Sequence, residues 1–93
     1  MIDGDDMLND LVGIIVENIL FKTDVSVHDK IDAVLKNKGI TFTECYKSPQ
    51  ILLAALRYLP DDTRMSVVSA IKKELGKFED EPGIVRFIKI ISA

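Results

Sequence analysis

Apolar residues along the chain recur three and four positions apart, a spacing that lays out a series of helices. The pattern is clearest in two consecutive stretches, Pro49–Leu59 and Pro60–Leu75. Leu52, Ala55, Leu56 and Leu59 fall on one side of the first, and Val67, Val68, Ile71 and Leu75 on one side of the second. Ser48 is placed to cap the first helix, with Pro49 in its first turn, where the missing N–H loses no hydrogen bond. Pro60 disfavours the α region at Leu59, so the first helix should stop there and the second start at once, with Pro60 in its first turn. Asp61 and Asp62 complement the positive end of that helix and Lys72 and Lys73 the negative end. Gly76 is expected to supply a left-handed stop.

Upstream, a helix is predicted over Asp6–Phe21, after a loose acidic arm Met1–Asp5. Asp6, Asp10, Gly13 and Glu17 share one stripe, and most of the rest is apolar: Leu8, Leu11, Val12, Ile14, Ile15, Val16, Ile19 and Leu20. An ordinary surface helix has a narrower apolar face, so this one is either enclosed by other helices or shared with a second subunit. Its β-branched run permits a strand, but polar residues at i, i+4, i+7 and i+11 fit only a helix. Lys22–Val25 reads as a turn. Ser26, with Asp29 three residues on, forms a capping box for a helix over Val27–Lys38. Val27, Ile31, Val34 and Leu35 make its buried face; Gly39 ends it, with Ile40 folding back in a Schellman-type stop. Thr41–Lys47 is expected to be one helical turn capped by Thr43, with Phe42 and Tyr46 plugging the core edge. Beyond the polar link Lys77–Glu81, Pro82 opens a last helix, Gly83–Ser92. Its β-branched content also permits a strand. As a helix, Ile84, Phe87, Ile88 and Ile91 lie on one side and Arg86 and Lys89 on the other, so a helix is expected. The fold class is all-α: a single domain over residues 1–93, a compact bundle of four main helices plus one short helical segment.

A content of 47% hydrophobic and 29% charged residues fits a globular domain and argues against disorder. The longest apolar run, Leu11–Phe21, is interrupted by Gly13, Glu17 and Asn18 and is too short to cross a bilayer. The chain starts with Asp3, Asp5 and Asp6, where a signal peptide needs basic residues. The single cysteine, Cys45, cannot form an internal disulfide. The expected setting is cytoplasmic, with no membrane contact. A net charge of −3 does not favour general nucleic-acid binding. Charge is uneven: residues 1–46 carry four Lys/Arg against nine Asp/Glu, and residues 47–93 eight against six.

Candidate chemistry is sparse. His28 is expected to be exposed in a first helical turn, with Asp29 and Asp32 pointing to different sides, so no metal site is expected. Cys45 reads as a half-buried structural thiol. Asp6, Asp10 and Glu17 read as a solvated helix face, and Asp3-Gly4-Asp5-Asp6 lacks the spacing of a calcium loop. With no glycine-rich phosphate loop and one histidine, neither enzymatic activity, a cofactor nor a small-molecule substrate is expected. Two binding surfaces remain. Lys36, Lys38, Thr41, Thr43 and Lys47 form a basic, hydroxyl-rich patch where a helix-turn-helix could meet nucleic acid, although no arginine is there to read guanine. The favoured partner is protein, a second copy of the chain. The expected homodimer interface comprises Leu8, Leu11, Val12, Ile15 and Ile19 on the first helix and Ile84, Phe87, Ile88 and Ile91 on the last. Gly13 would allow close approach at its edge.

Between Val27 and Phe78 the chain carries a helix ending Leu35-x₃-Gly39-Ile40, then Ser48-Pro49, an Ala55-Leu56 pair, and a helix ending Ile71-x-x-Glu74-Leu75. This layout resembles the small helical output domains of archaeal signal-transduction proteins, the Nitrosopumilus-type output family. The resemblance covers a little over half the chain, and each of its elements alone is a generic helix signal. The sequence departs from the family at Leu59-Pro60-Asp61-Asp62, where a glycine-bearing turn would be expected. The resemblance implies a regulatory or interaction module without catalytic residues, and it carries over no site residue.

Overall fold

Five helices and two 3₁₀ turns follow the apolar pattern, with boundaries set by hydrogen bonds that the pattern does not display. The computed structural model describes residues 4–92, with side chains described over residues 7–92. The helices are α1 (Gly4–Thr23), α2 (Val25–Asn37), α3 (Pro49–Leu56), α4 (Asp61–Leu75) and α5 (Pro82–Ile91). The 3₁₀ turns are Phe42–Glu44 and Gly76–Phe78. No strand occurs among the described residues. The eight-residue α3 is the short member beside four longer helices.

Helix α1 outruns its predicted span at both ends. Gly4 and Asp5, assigned to an acidic arm, are already helical, and the rest of that arm lies outside the described residues. At the far end the expected turn Lys22–Val25 shrinks to Asp24 alone. The Thr23 hydroxyl donates to the Ile19 carbonyl at 2.9 Å and keeps the last turn closed. Asp24 is extended and caps α2: its carboxylate accepts from the Ser26 N–H at 2.8 Å and from the Ser26 hydroxyl at 2.9 Å. Ser26 is therefore the capped residue, not the cap: Asp24, just outside the helix, accepts from the Ser26 N–H in the first turn. Those two bonds hold the Asp24 carboxyl below its ordinary pKa.

The stop of α2 is as expected. Gly39 takes a φ of 84°, and the N–H groups of Ile40 and Gly39 reach the carbonyls of Leu35 and Lys36, each at 3.0 Å. These are the two bonds of a Schellman motif, which requires a residue tolerant of positive φ. The following turn starts from Thr41, not Thr43, and Thr41 spends its hydroxyl on Glu44 at 3.2 Å.

The central corner differs more. Helix α3 stops at Leu56, and Tyr58 and Leu59 bond to Ala55 and Leu56 three residues back. That tighter winding turns Leu59 into the core ahead of Pro60. Pro60 is the residue before α4 and not in its first turn; its carbonyl accepts the first bond, from Arg64 N–H, at 2.9 Å. The Ser48 hydroxyl makes no capping bond. Gly76 has φ −59°, right-handed, so α4 tightens into a 3₁₀ turn where a left-handed stop was expected.

The helices close a ring in which α1 meets α2, α2 meets α3, α3 meets α5, α5 meets α4, and α4 returns to α1. The 3₁₀ turn Phe42–Glu44 packs on α1 as well. Each helix buries a side at helical spacing: Val12, Val16, Ile19 and Leu20; Ile31 and Leu35; Leu52, Ala55 and Leu56; Val67, Ile71 and Leu75; Ile84, Phe87 and Ile91. Helix α1 thus lies among three neighbours. The close approach expected of Gly13 is inside the domain, not at a subunit edge. A Cβ built there would lie 2.9 Å from the Phe42 carbonyl oxygen and 2.9 Å from the Thr43 Cα. Replacing helical glycine by alanine ordinarily gains about 1 kcal/mol. At Gly13 the obstacle is backbone, so overpacking of roughly 1–3 kcal/mol should exceed that gain. We expect Gly13→Ala to lower the denaturation midpoint; a higher midpoint would show that the turn can move away freely.

Candidate interaction surface on helix α1

With its inner side in the core, α1 turns a second row of side chains outward. Met7, Ile14 and Phe21, seven residues apart, are 64%, 55% and 44% exposed. Seven residues bring a helix back to nearly the same bearing, about 10 Å further along. Between them lie Leu11, half-buried, and Asn18, exposed. Positions 7, 11, 14, 18 and 21 alternate by four and three, the spacing of a helix-pairing seam. Exposed apolar residues scattered singly need no explanation, whereas these three share one helix face.

Phe21 is held by the second feature of this face. His28, on α2, is only 7% exposed, contrary to the expected exposed first-turn histidine. Its ring stacks on Phe21 with centroids 3.6 Å apart and planes 14° apart, and on Phe42 at 5.2 Å and 23°. Nε2 lies 3.0 Å from Glu17 Oε2 on α1, and Nδ1 lies 3.1 Å from Asp29 Oδ1. A neutral imidazole has one N–H, so one ring nitrogen would face a carboxylate lone pair to lone pair. The imidazolium donates to both. Burial pushes the ring toward the neutral form, but the hydrogen bonds and charges of Glu17 and Asp29 outweigh it. The pKa stands above the ordinary histidine value. The flanking rings add cation–π attraction in the same sense. Glu17, assigned to a solvated stripe, instead joins α1 to α2; Asp10 is exposed as expected.

The other sequence candidates fall elsewhere. Of the expected interface, Val12, Ile19, Ile84, Phe87 and Ile91 are core residues, and Leu8, Ile15 and Ile88 are half-buried against that core. Val12, Ile19, Ile84, Phe87 and Ile91 are closed to a partner in the folded chain, whereas Leu8, Ile15 and Ile88 keep part of their surface open. Met7, Ile14 and Phe21 were missing from that set, although their heptad spacing is visible in the sequence. In the basic patch, Lys36 pairs with Asp32 at 2.9 Å, which raises its pKa. Thr41 Oγ1 lies 3.0 Å from Thr43 Oγ1 and donates to Glu44. Lys38 and Lys47 are exposed. The element after the Gly39 turn is a three-residue 3₁₀ turn, with no recognition helix at that place.

Cys45 is fully buried, not half-buried, and burial pushes its thiol up to about 12, leaving no thiolate to act as nucleophile at neutral pH. Among the described residues no three His, Cys, Asp or Glu side chains come together as metal ligands. A cleft of about 630 Å³ separates the starts of α3 and α5, where Tyr46 lies against Gly83. Its charged groups, Lys47, Arg86 and Glu81, are of both signs and all open to water. No described helix is long and apolar enough to cross a membrane.

Compared with family models, curated proteins and solved structures, the chain matches none. The class that fold and surface define is an all-α domain with one helix shared between a core and an exposed apolar seam.

The His28 cluster generates a signed pH dependence. A raised folded pKa contributes stability in full below the unfolded histidine value, about 6.5. That contribution is lost as pH rises through the folded value. His28→Phe keeps the stack and removes the titration. We expect the stability of the native protein relative to this variant to fall as pH rises above about 6.5, measured by urea denaturation. A relative stability that stays level or grows would show that the imidazole is buried neutral.

Proposed function

We propose that the protein is a non-catalytic interaction module that self-associates through the outer face of α1 in a regulatory, cytoplasmic setting. The observation that carries this reading is the row Met7, Ile14 and Phe21, exposed on a helix whose opposite side supplies the core. Leaving that row in water costs hydrophobic free energy that a second copy would recover. The likeness of Val27–Phe78 to archaeal output domains supports the regulatory setting, and the lone buried thiol of Cys45 is compatible with a reducing compartment. The nucleic-acid reading is weaker, because Asp32 and Glu44 stand among the lysines and hydroxyls it would use.

The test is the mass in solution. A seam one helix long, roughly 30 Å by 10 Å, is below the ~800 Å² per partner of a standard interface, so the contact belongs to the weak class. The native protein should sediment as monomer near ~1 μM and as dimer near ~1 mM, and Ile14→Glu should remain a folded monomer throughout. Because Ile14 is exposed, the substitution should change fold stability by no more than about 0.5 kcal/mol. A native protein that stays monomeric at ~1 mM, or an Ile14→Glu variant that associates as tightly as the native, would refute the reading.

A further inference from the structure

Resting on the self-association proposed above, we infer that two copies pair through α1 parallel and in register, with Asn18 facing Asn18 of its partner. The heptad spacing assigns Met7, Ile14 and Phe21 to one set of seam positions and Leu11 and Asn18 to the other. Asn18 is the single polar residue of the seam. In a parallel in-register pair, equal positions meet, so the two amides answer each other's donors and acceptors across the axis. In an antiparallel pair one set of seam positions packs against the other, so Asn18 would instead face Met7 and leave its amide against an apolar side chain.

Flanking charge selects the same orientation. Asp10 and Glu17 border one side of the seam, and Leu8, Ile15 and Lys22 the other. Antiparallel pairing sets Asp10 against Glu17 of the partner, twice, and like charges across a seam oppose association. Parallel pairing sets Glu17 against Lys22 of the partner, five residues further on, twice. Glu17 keeps its Oε2 on His28, which leaves its other oxygen for the lysine. Lys22 is exposed. Met7 and Phe21 meet their own copies at the two ends of the seam.

Disulfide trapping reads the orientation directly, because the natural Cys45 is fully buried with a thiol pKa of about 12 and should not react. Asn18→Cys is treated with diamide at ~100 μM, beside the native protein as blank, and each sample is also sedimented. Parallel pairing brings the two introduced sulfurs together, and Asn18→Cys should be trapped as a covalent dimer. Met7→Cys mixed with Asn18→Cys should then give only homodimers. Antiparallel pairing, with Asn18 facing Met7, separates the two Asn18 positions by about 16 Å along the axis, beyond the ~7 Å between Cα atoms that a disulfide spans. Trapping confined to heterodimers in the Met7→Cys/Asn18→Cys mixture would therefore overturn the inference while leaving self-association intact. A native protein that sediments as monomer at every concentration would remove both. As a second readout, Lys22→Glu should weaken association on the order of tenfold by facing Glu17 of the partner; unchanged association would speak against the parallel register.

Discussion

The absence of a side chain at Gly13 sets the geometry of the domain. It lets the backbone of Phe42 and Thr43 rest directly on α1, so the 3₁₀ turn occupies a flank of the helix that a longer side chain would keep open. Phe42 then reaches the core and one side of His28. Helix α2 is returned against α1 by the one-residue link at Asp24, and α4 closes the opposite flank. With three neighbours in place, a 20-residue helix has one direction left in which to face water. The outer seam follows from that enclosure: the residues it exposes are those the fold has no element left to cover.

The same enclosure shapes the surroundings of the imidazole at the joint of α1 and α2. An imidazole between two phenylalanines would ordinarily be held toward the neutral form, because removing a cation from water is costly. Here Glu17 and Asp29 each lie within hydrogen-bond reach of one ring nitrogen and raise its pKa despite burial. The arrangement has a mechanical consequence for the seam. Phe21 contributes to the exposed row with a ring whose inner face is fixed on His28, and Glu17 borders the row while bonded to the same imidazole.

Helical periodicity with its glycine and proline punctuation was enough to find the five described helices, the Schellman stop at Gly39 and Ile40, and the buried side of four of the helices. What it could not show were relations between side chains distant in sequence. The bond from His28 to Glu17 spans a helical hairpin, and nothing near His28 announces it; the local reading saw only Asp29 and Asp32 and left the ring in water. Gly13 was read as a point of close approach, correctly, but the partner proved to be the chain's own 3₁₀ turn. The breadth of the apolar surface on α1 was legible, whereas its division into inner and outer rows was not. Width on a helical wheel does not say which part the fold will cover, and Val12 and Ile14 look alike until α2 and α4 are placed. At the caps, Asp24 against Ser26 and Thr41 against Thr43 were decided by backbone conformation, which neighbouring residue types of similar capping strength do not determine.

The central claim is that α1 has one side committed to the core and the other available to a second copy. Side-chain resonances of the native protein, followed from about 20 μM to about 1 mM, test it without any substitution. The account predicts that the Met7 and Ile14 methyls and the Phe21 ring shift with concentration, while Val12, Val16 and Ile71 in the core stay fixed. Signals of the outer row that hold constant over that range, or shifts centred on any other surface, would contradict it.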